Sequence, residues 1–343
     1  MSTTDLEKAT RELFVRSLVD QVHMRTPFIE ELQRRHQVTH TGGKYIERLI
    51  DTADIDDIIQ TYDTNDALTD EKKTTLDKPR FTWRKTQVPL RYDADEELEN
   101  FYADQDTQLL DLSKHLINKG QTATRKWFCK QMFNNGSTTP VADGTTTAWQ
   151  SLVSALNHDT AYGTLTRTYS SSTHDEWQGA DPAGLNEVIT TSSQDTAYNL
   201  TKGNLAKWIN ETDVSDSMES PEDLMILMCP TLWDKLRAEF EAHSTYQAGK
   251  KQSQGISSMY FDGHEIVSVP YLQRSSTMKT WVFILNLRHW ELRIHARRNF
   301  KFTGYKWQGE NANGYDYYLG RILLQGNLCC WKPKSSMWLS AVS

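Results

Sequence analysis

The segment 41–93 constrains this chain more than any other. It opens at Gly42-Gly43 and closes where a helix signal begins at Asp93, and it reads as one long two-stranded excursion. Lys44 to Ile50 forms one strand. Phe81 to Tyr92 forms its partner, with Phe81, Trp83, Val88, Leu90 and Tyr92 alternating with other residues. Pro89 marks an edge strand or a bulge. The stretch between is acidic, with Asp51, Asp54, Asp56, Asp57, Asp63, Asp66, Asp70 and Glu71. Such a hairpin has no third strand and no helix of its own, and isolated hairpins are marginal in water. Ordering about fifty residues costs on the order of 50 kcal/mol at ~1 kcal/mol each. Offsetting that takes roughly 2,000 Å² of apolar burial at ~25 cal/mol per Å². The body of one subunit is a poor source of that surface for an arm that projects from it. Neighbouring copies can supply it, and interfaces of that size are of the obligate kind. Folding back onto its own domain stands as the alternative.

The flanking segments define the rest of an α+β chain. Residues 4–22 read as an amphipathic helix with a capping box at Thr4 to Glu7. A short helix through Phe28, Ile29 and Leu32 follows, with Pro27 at its first position. From Leu98 to Trp127 the apolar residues keep a 3.6-residue spacing, which predicts a helix over 94–134 that Gly120 bends. Asn134-Asn135-Gly136 stops it. Residues 137–206 are rich in Ser, Thr, Gly and Asp and read as mixed structure with long loops. Leu224 to Cys229 is a short, wholly apolar run, expected to be a buried strand, and Pro230 opens a helix after it. Gln247 to Ser258 reads as a loop. Asp262-Gly263 is a hairpin turn between Met259–Phe261 and Glu265–Val269. Trp281 to Leu285 reads as another buried strand, and the alternating, basic segment 288–307 and then 314–339 supply the last ones.

Composition excludes several classes of function. With 343 residues, 38% hydrophobic and 24% charged, the chain is globular rather than disordered. A formal net charge of -7 argues against a dedicated nucleic-acid binder, which needs a basic face to release counterions. It leaves room for a container whose inner face tolerates DNA. The four cysteines form no Cys-x-x-Cys pair, so no zinc site is expected, and Cys329-Cys330 reads as small apolar strand residues. The pattern suits a reducing cytosol. The first residues lack a basic and then apolar run, so no signal peptide is expected, and no apolar run is long enough to cross a membrane as a helix.

The order of parts resembles the Hong Kong 97-type major capsid proteins of tailed phages. An amphipathic arm is followed by Gly42-Gly43, a long hairpin and a long spine helix. Residues 156–177, with Tyr162-Gly163, Arg167 and Trp177, resemble a stretch of some members. The runs 221–236, 261–272, 281–292 and the ending from Leu324 are similar to later strands of the family. The resemblance implies an N-terminal arm at 1–40 and an extended loop at 41–93. It implies a peripheral domain with the spine helix at 94–140 and 286–325, and an axial domain at 141–285 and 326–343. It further implies pentamers and hexamers that close an icosahedral shell around double-stranded DNA, with no sequence-specific DNA contact. Expected partners are copies of the chain, a portal, a decoration protein and a separate scaffolding protein, the last because only about forty residues precede the loop. The expected location is the virion capsid, and the host cytoplasm during assembly. An encapsulin-type compartment shell is a rival of the same fold. A carbohydrate-binding or carbohydrate-active protein, suggested by 11 Trp and 14 Tyr, is a rival of another class.

No catalytic, cofactor or metal site is expected. His36 and His40 are four apart but lack an intervening Glu, the phosphate-loop pattern is absent at Gly42-Gly43-Lys44, and acidic pairs such as Asp56-Asp57 read as a charged tip. The candidate functional residues are charges of opposite sign that can meet across subunits and fix register. On the loop these are Asp54, Asp56, Asp57 and Asp63. On the basic strands they are Arg288, Arg293, Arg297 and Arg298. The family's prototype cross-links a loop Lys to an Asn of the peripheral domain. By that resemblance Lys72, Lys73 or Lys78 with Asn286 or Asn299 are the pairs to consider.

Overall fold

An apolar run without polar interruption must be covered on both faces. In the computed structural model Leu224–Met228 (β7) is such a strand, buried along its whole length. The structure describes residues 27–51, 59–64, 75–99, 112–134, 148–157, 161–167, 177–180, 199–215, 223–242, 258–308, 316–340 and 342. The expected helix at 4–22 and most of the expected loop at 247–258 lie outside these residues.

The elements run as follows. Pro27–Arg34 (α1) leads to Val38–Thr41 (β1), Tyr45–Glu47 (β2), Ile50–Asp51 (β3), Leu76–Asp77 (β4), Arg80–Thr82 (β5) and Arg84–Asp93 (β6). Then come Ala94–Glu99 (α2), Leu112–Asn134 (α3), Leu152–Leu156 (α4) and Lys202–Ser215 (α5). After β7 follow Pro230–Ala242 (α6), Ser258–Phe261 (β8), His264–Ser268 (β9), Val282–Asn286 (β10) and Trp290–His295 (β11). The chain ends with Lys301–Phe302 (β12), Lys306–Trp307 (β13), Tyr317–Cys330 (β14) and Met337–Leu339 (β15).

Two larger sheets result. One has the order β15-β10-β7-β9-β8. Its β8–β9 hairpin turns on Asp262 at φ 52° and Gly263 at φ 84°, the paired left-handed residues that the Asp-Gly signal predicts. The other has six strands built on the fourteen-residue β14. β11 pairs with its last third and carries β1 in parallel, β12 and β13 pair with its first half, and β6 runs antiparallel along the opposite side.

The long hairpin of the sequence reading is thereby corrected. Only β5 pairs with β2, and β4 with β3. The alternating stretch 84–93 joins the six-stranded sheet, with Asp93 opposite Tyr317 and Arg84 opposite Gly326. The physical reason is that its apolar side needs cover. Leu90 is buried beside α3, which a free two-stranded arm could not offer. Pro89 sits opposite Arg321, and among the described residues β6 has β14 as its one partner, as a proline-bearing edge strand should. Gly120 does not break α3, which is helical from Leu112 to Asn134. It lets the helix approach the sheet, since a Cβ there would stand 2.9 Å from Leu90 Cδ2 and 3.0 Å from Ile322 Cδ1. α2 and α3 occupy both ends of the predicted long helix, and residues 100–111 between them lie outside the described part.

A knot of buried polar groups fixes the base of the excursion. Arg167 is fully buried and donates to the carbonyls of Ser154, Ala155 (2.7 Å) and Trp177 (3.1 Å). The first two belong to the last turn of α4, where carbonyls lack helical partners. Its guanidinium also lies 5.3 Å from the Tyr162 ring centroid. Trp177 Nε1 donates to the Tyr162 carbonyl at 2.8 Å, and the Tyr162 hydroxyl accepts from Cys330 N at 2.7 Å. Burial pushes the Tyr162 hydroxyl well above its ordinary pKa and the Cys330 thiol up to about 12. The excursion attaches here: Arg80 N donates to Gly163 O at 2.7 Å, and Phe81 packs edge-on against Tyr162 at 4.8 Å and Trp331 at 5.7 Å. Gly163 has φ +60°, and a Cβ on it would lie 2.7 Å from Phe81 Cζ. Asn327 adds a clamp, accepting from Gln150 N at 2.8 Å and donating to Thr82 O at 3.2 Å.

Two stability predictions follow from these contacts. Gly120→Val overpacks the helix–sheet contact and lowers the unfolding free energy of the unassembled subunit by roughly 1–3 kcal/mol in urea titration. Arg167→Met leaves buried carbonyls without a donor and costs roughly 3 kcal/mol or more, while Arg167→Lys falls between the two because a point donor cannot span three carbonyls.

Candidate assembly surface

The base of the excursion is held by its own subunit, and several of the described apolar residues beyond it are exposed. Ile46 (2% exposed) and Phe81 (0%) enter the core, which corrects the expectation that the whole of 41–93 needs a neighbour. Beyond them Leu49 is 59% exposed, Ile59 73%, Tyr62 66% and Leu76 54%. On the ribbon's surface Glu47 holds Lys78 at 2.6 Å and Arg80 at 3.3 Å, and the Lys78 hydrogen bond draws the Glu47 pKa below its ordinary value.

The candidate residues divide by position. Asp54, Asp56, Asp57, Lys72 and Lys73 lie outside the described residues. Asp63 is exposed, with Oδ1 accepting from Thr64 N at 2.7 Å. Arg288, Arg297, Arg298 and Asn299 are exposed on short turns around β11. Arg293 is engaged at home. Its Nε stands 2.9 Å from Glu291 Oε1, and its guanidinium lies 5.8 Å from the Trp331 ring centroid. Glu291 is itself buried and accepts from Thr39 Oγ1 at 2.5 Å and Trp331 Nε1 at 2.8 Å, so Arg293 belongs to a structural cluster that pins β1. Asn286 is 1% exposed and its side chain accepts from Arg288 N, which takes it out of reach of a neighbour's lysine. His36 caps α1's exit at φ 58° and His40 lies in β1, and no cluster of three or more metal-binding side chains occurs among the described residues. The four cysteines are buried and free, as Cys329-Cys330 in a strand suggested.

One feature escaped the sequence reading. The residues of β6 that face away from α3 are exposed: Lys85, Gln87, Pro89 and Arg91. The register places exposed cations across four successive rows of this face. Lys85 stands opposite Gln325, Lys301 opposite Leu323, Arg321 opposite Pro89, and both Arg91 and Lys306 opposite Leu319. Rows are about 7 Å apart. Leu319 and Leu323 are half-buried between the cations, whereas Trp307 (49% exposed) pairs with Tyr318 and belongs to the opposite face. The face's acid, Asp93, is taken by Arg91 at 2.9 Å. Alternation at 85–91 was visible in the sequence, but its alignment with Arg321, Lys301 and Lys306 depends on a pairing that no local pattern encodes.

No protein-family model matches the sequence, and no curated protein is similar to it. Solved structures are. A chain of the Cyanophage A-1(L) capsid asymmetric unit is similar at TM-score 0.64 and 14% identity, over 96% of both chains. A chain of the capsid of Myoviridae Phage XM1 is similar at 0.51 and 10%, over 94% of both. The SrpI encapsulin complex of Synechococcus elongatus PCC 7942 is similar at 0.55 and 10%, over 100% of this chain and 96% of that one. From the anchored excursion through α3 to the two sheets, the chain has the Hong Kong 97-type capsid fold.

Proposed function

We propose that this protein is the major capsid protein of a tailed, double-stranded DNA phage, assembling as pentamers and hexamers into an icosahedral shell. The observation that carries the reading is the near full-length likeness to the cyanophage capsid subunit. The exposed apolar residues of the excursion support it, because large apolar patches at the surface mark sites that bury against partners. In this reading 141–285 and 326–343 form the axial domain, 94–140 and 286–325 the peripheral domain, and 1–40 and 41–93 the arm and loop that lap over neighbours. The five-stranded sheet, drawn from 224–286 and 337–339, fits an axial unit. Asp54, Asp56, Asp57 and Asp63 meet Arg288, Arg297 and Arg298 of an adjacent copy, and Lys78 with Asn299 is the cross-link pair left accessible. A separate scaffolding protein, a portal and a decoration protein complete the particle. Assembly takes place in the host cytoplasm, and the product is the virion capsid.

The encapsulin likeness favours a second reading of the same fold, a compartment shell that holds protein instead of DNA. The Trp count lends the carbohydrate reading no support, since Trp307 alone among the eleven Trp is exposed and Trp149, Trp177, Trp208, Trp281 and Trp290 are wholly buried in the core.

The purified chain, examined by negative-stain microscopy, is expected to show closed shells or five- and six-membered rings. A protein that stays monomeric at high concentration contradicts the proposal. Particles from infected cells that contain a cargo enzyme and no DNA favour the compartment reading.

A further inference from the structure

We infer that the exposed side of α3 is the surface that meets the phosphate backbone of enclosed duplex DNA, without regard to base sequence. The inference rests on the reading that the shell holds double-stranded DNA, and it names the surface that touches it. Charge is unevenly placed in this chain. The formal net charge is -7, yet α3 carries Lys114, Lys119, Arg125, Lys126 and Lys130 and has no Asp or Glu. On a helix of ~3.6 residues per turn, His115, Lys119, Lys126 and Lys130 fall on one side, opposite Gly120, Thr124 and Phe128. Gly120 faces Leu90 and Ile322 of the sheet, and Thr124 and Phe128 are buried. The stripe therefore points away from the sheet, with Lys119 and Lys130 exposed and His115 and Lys126 half-buried.

A helix face that is merely solvated mixes signs at this spacing, because opposite charges four residues apart stabilise a helix and like charges destabilise it. Lys126 and Lys130 stand four apart with no acid on the helix to relieve them. Among the described residues no ion pair holds Lys119, Lys126 or Lys130. Burial, and then the Lys119 charge, hold the His115 pKa below its ordinary value, so the positive potential is felt along the stripe. The side chains between the cations select the partner. Asn118 is exposed and Thr122 half-buried, and amide and hydroxyl groups also donate to phosphate oxygens. None of the large apolar residues described on α3 is exposed. A protein partner buries an apolar centre, and this stripe offers none. The open face of the sheet differs, since Leu319 and Leu323 lie between its cations.

The geometry suits a contact without register. From His115 to Lys130 the stripe runs roughly 22 Å at ~1.5 Å per residue. A duplex carries about one charge per 1.7 Å of its axis, so the lysines meet phosphates wherever the stripe is laid along it. α3 covers one face of the six-stranded sheet, and Lys85 and Arg321 lie on the other. A shell that turns α3 toward its genome turns that open face away from it.

Neutralising the lysines of the full-length chain tests this. A fluorescein-labelled duplex is titrated with unassembled protein and followed by anisotropy, at salt between about 50 and 200 mM. The parent is expected to bind mixed and A·T-only duplexes alike, with log affinity falling as log salt rises. Lys119→Gln/Lys126→Gln/Lys130→Gln flattens that slope by about three, roughly one per lysine lost, and weakens binding at least about tenfold at the lowest salt. Its circular dichroism spectrum is unchanged. The Lys119→Arg/Lys126→Arg/Lys130→Arg chain keeps slope and affinity. A second measurement, on assembled particles, holds the reading to account if the glutamine chain misfolds: a lysine-acetylating reagent spares these lysines while the genome is inside and modifies them once particles are emptied, whereas Lys85 and Lys301 react alike in both. A glutamine chain with the parent's slope overturns the inference, as does a Lys85→Gln/Arg321→Gln pair that flattens it as much. Equal reactivity of the stripe in full and emptied particles overturns it too. So does a stripe that captures poly-glutamate and not the duplex, which marks an acidic protein partner. Closed shells whose stripe ignores DNA defeat this inference alone, whereas a chain that binds the duplex through the stripe and never forms rings or shells upholds the contact and defeats the shell proposal.

Discussion

A buried guanidinium supports the part of this molecule that reaches outward. Arg167 satisfies the carbonyls that end α4 and the carbonyl of Trp177, and so fixes Tyr162 between them. Tyr162 in turn joins the end of β14 through Cys330 and receives Phe81 from the excursion. Removing the guanidinium would leave the carbonyls unpaired in a dry site, which is costlier than the loss of an exposed contact. The knot converts a marginal two-stranded ribbon into an arm with a rigid root. The root is secured through Ile46, Pro79 and Phe81, with Ile50 half-buried against the core, while Leu49, Ile59 and Leu76 are exposed.

This division corrects the energy argument that the sequence alone suggests. Counting all of 41–93 as unsupported overstates the demand on neighbours, because 84–93 is a full member of the six-stranded sheet. What remains to be covered is the outer ribbon. Leu49, Ile59, Tyr62 and Leu76 are the described apolar residues of that ribbon that stand exposed.

Local signals in the sequence were read well where local physics decides the outcome. Leu224–Met228 is uninterrupted and apolar and became the central strand, Pro230 began a helix, and Asp262-Gly263 made its turn. Partner choice was the point of failure. The strand 84–93 alternates equally well beside β2 or β14, and nothing within it says which; α3 decides by covering Leu90 through the gap at Gly120. The candidate site was less legible for the same reason. Arg293 looks like its basic neighbours until Glu291 and Trp331 are placed around it, and the rows of cations exist only once β6, β12 and β13 are aligned on β14.

Hydrogen exchange on dispersed and assembled protein bears most directly on the account that the excursion is rooted in its own subunit and covered by another. Amides of 80–82 should be protected in both states. Those of 59–64 and 76–77 should exchange rapidly when dispersed and slow markedly on assembly. Protection of 59–64 in the dispersed chain, or rapid exchange at 80–82 there, would contradict it.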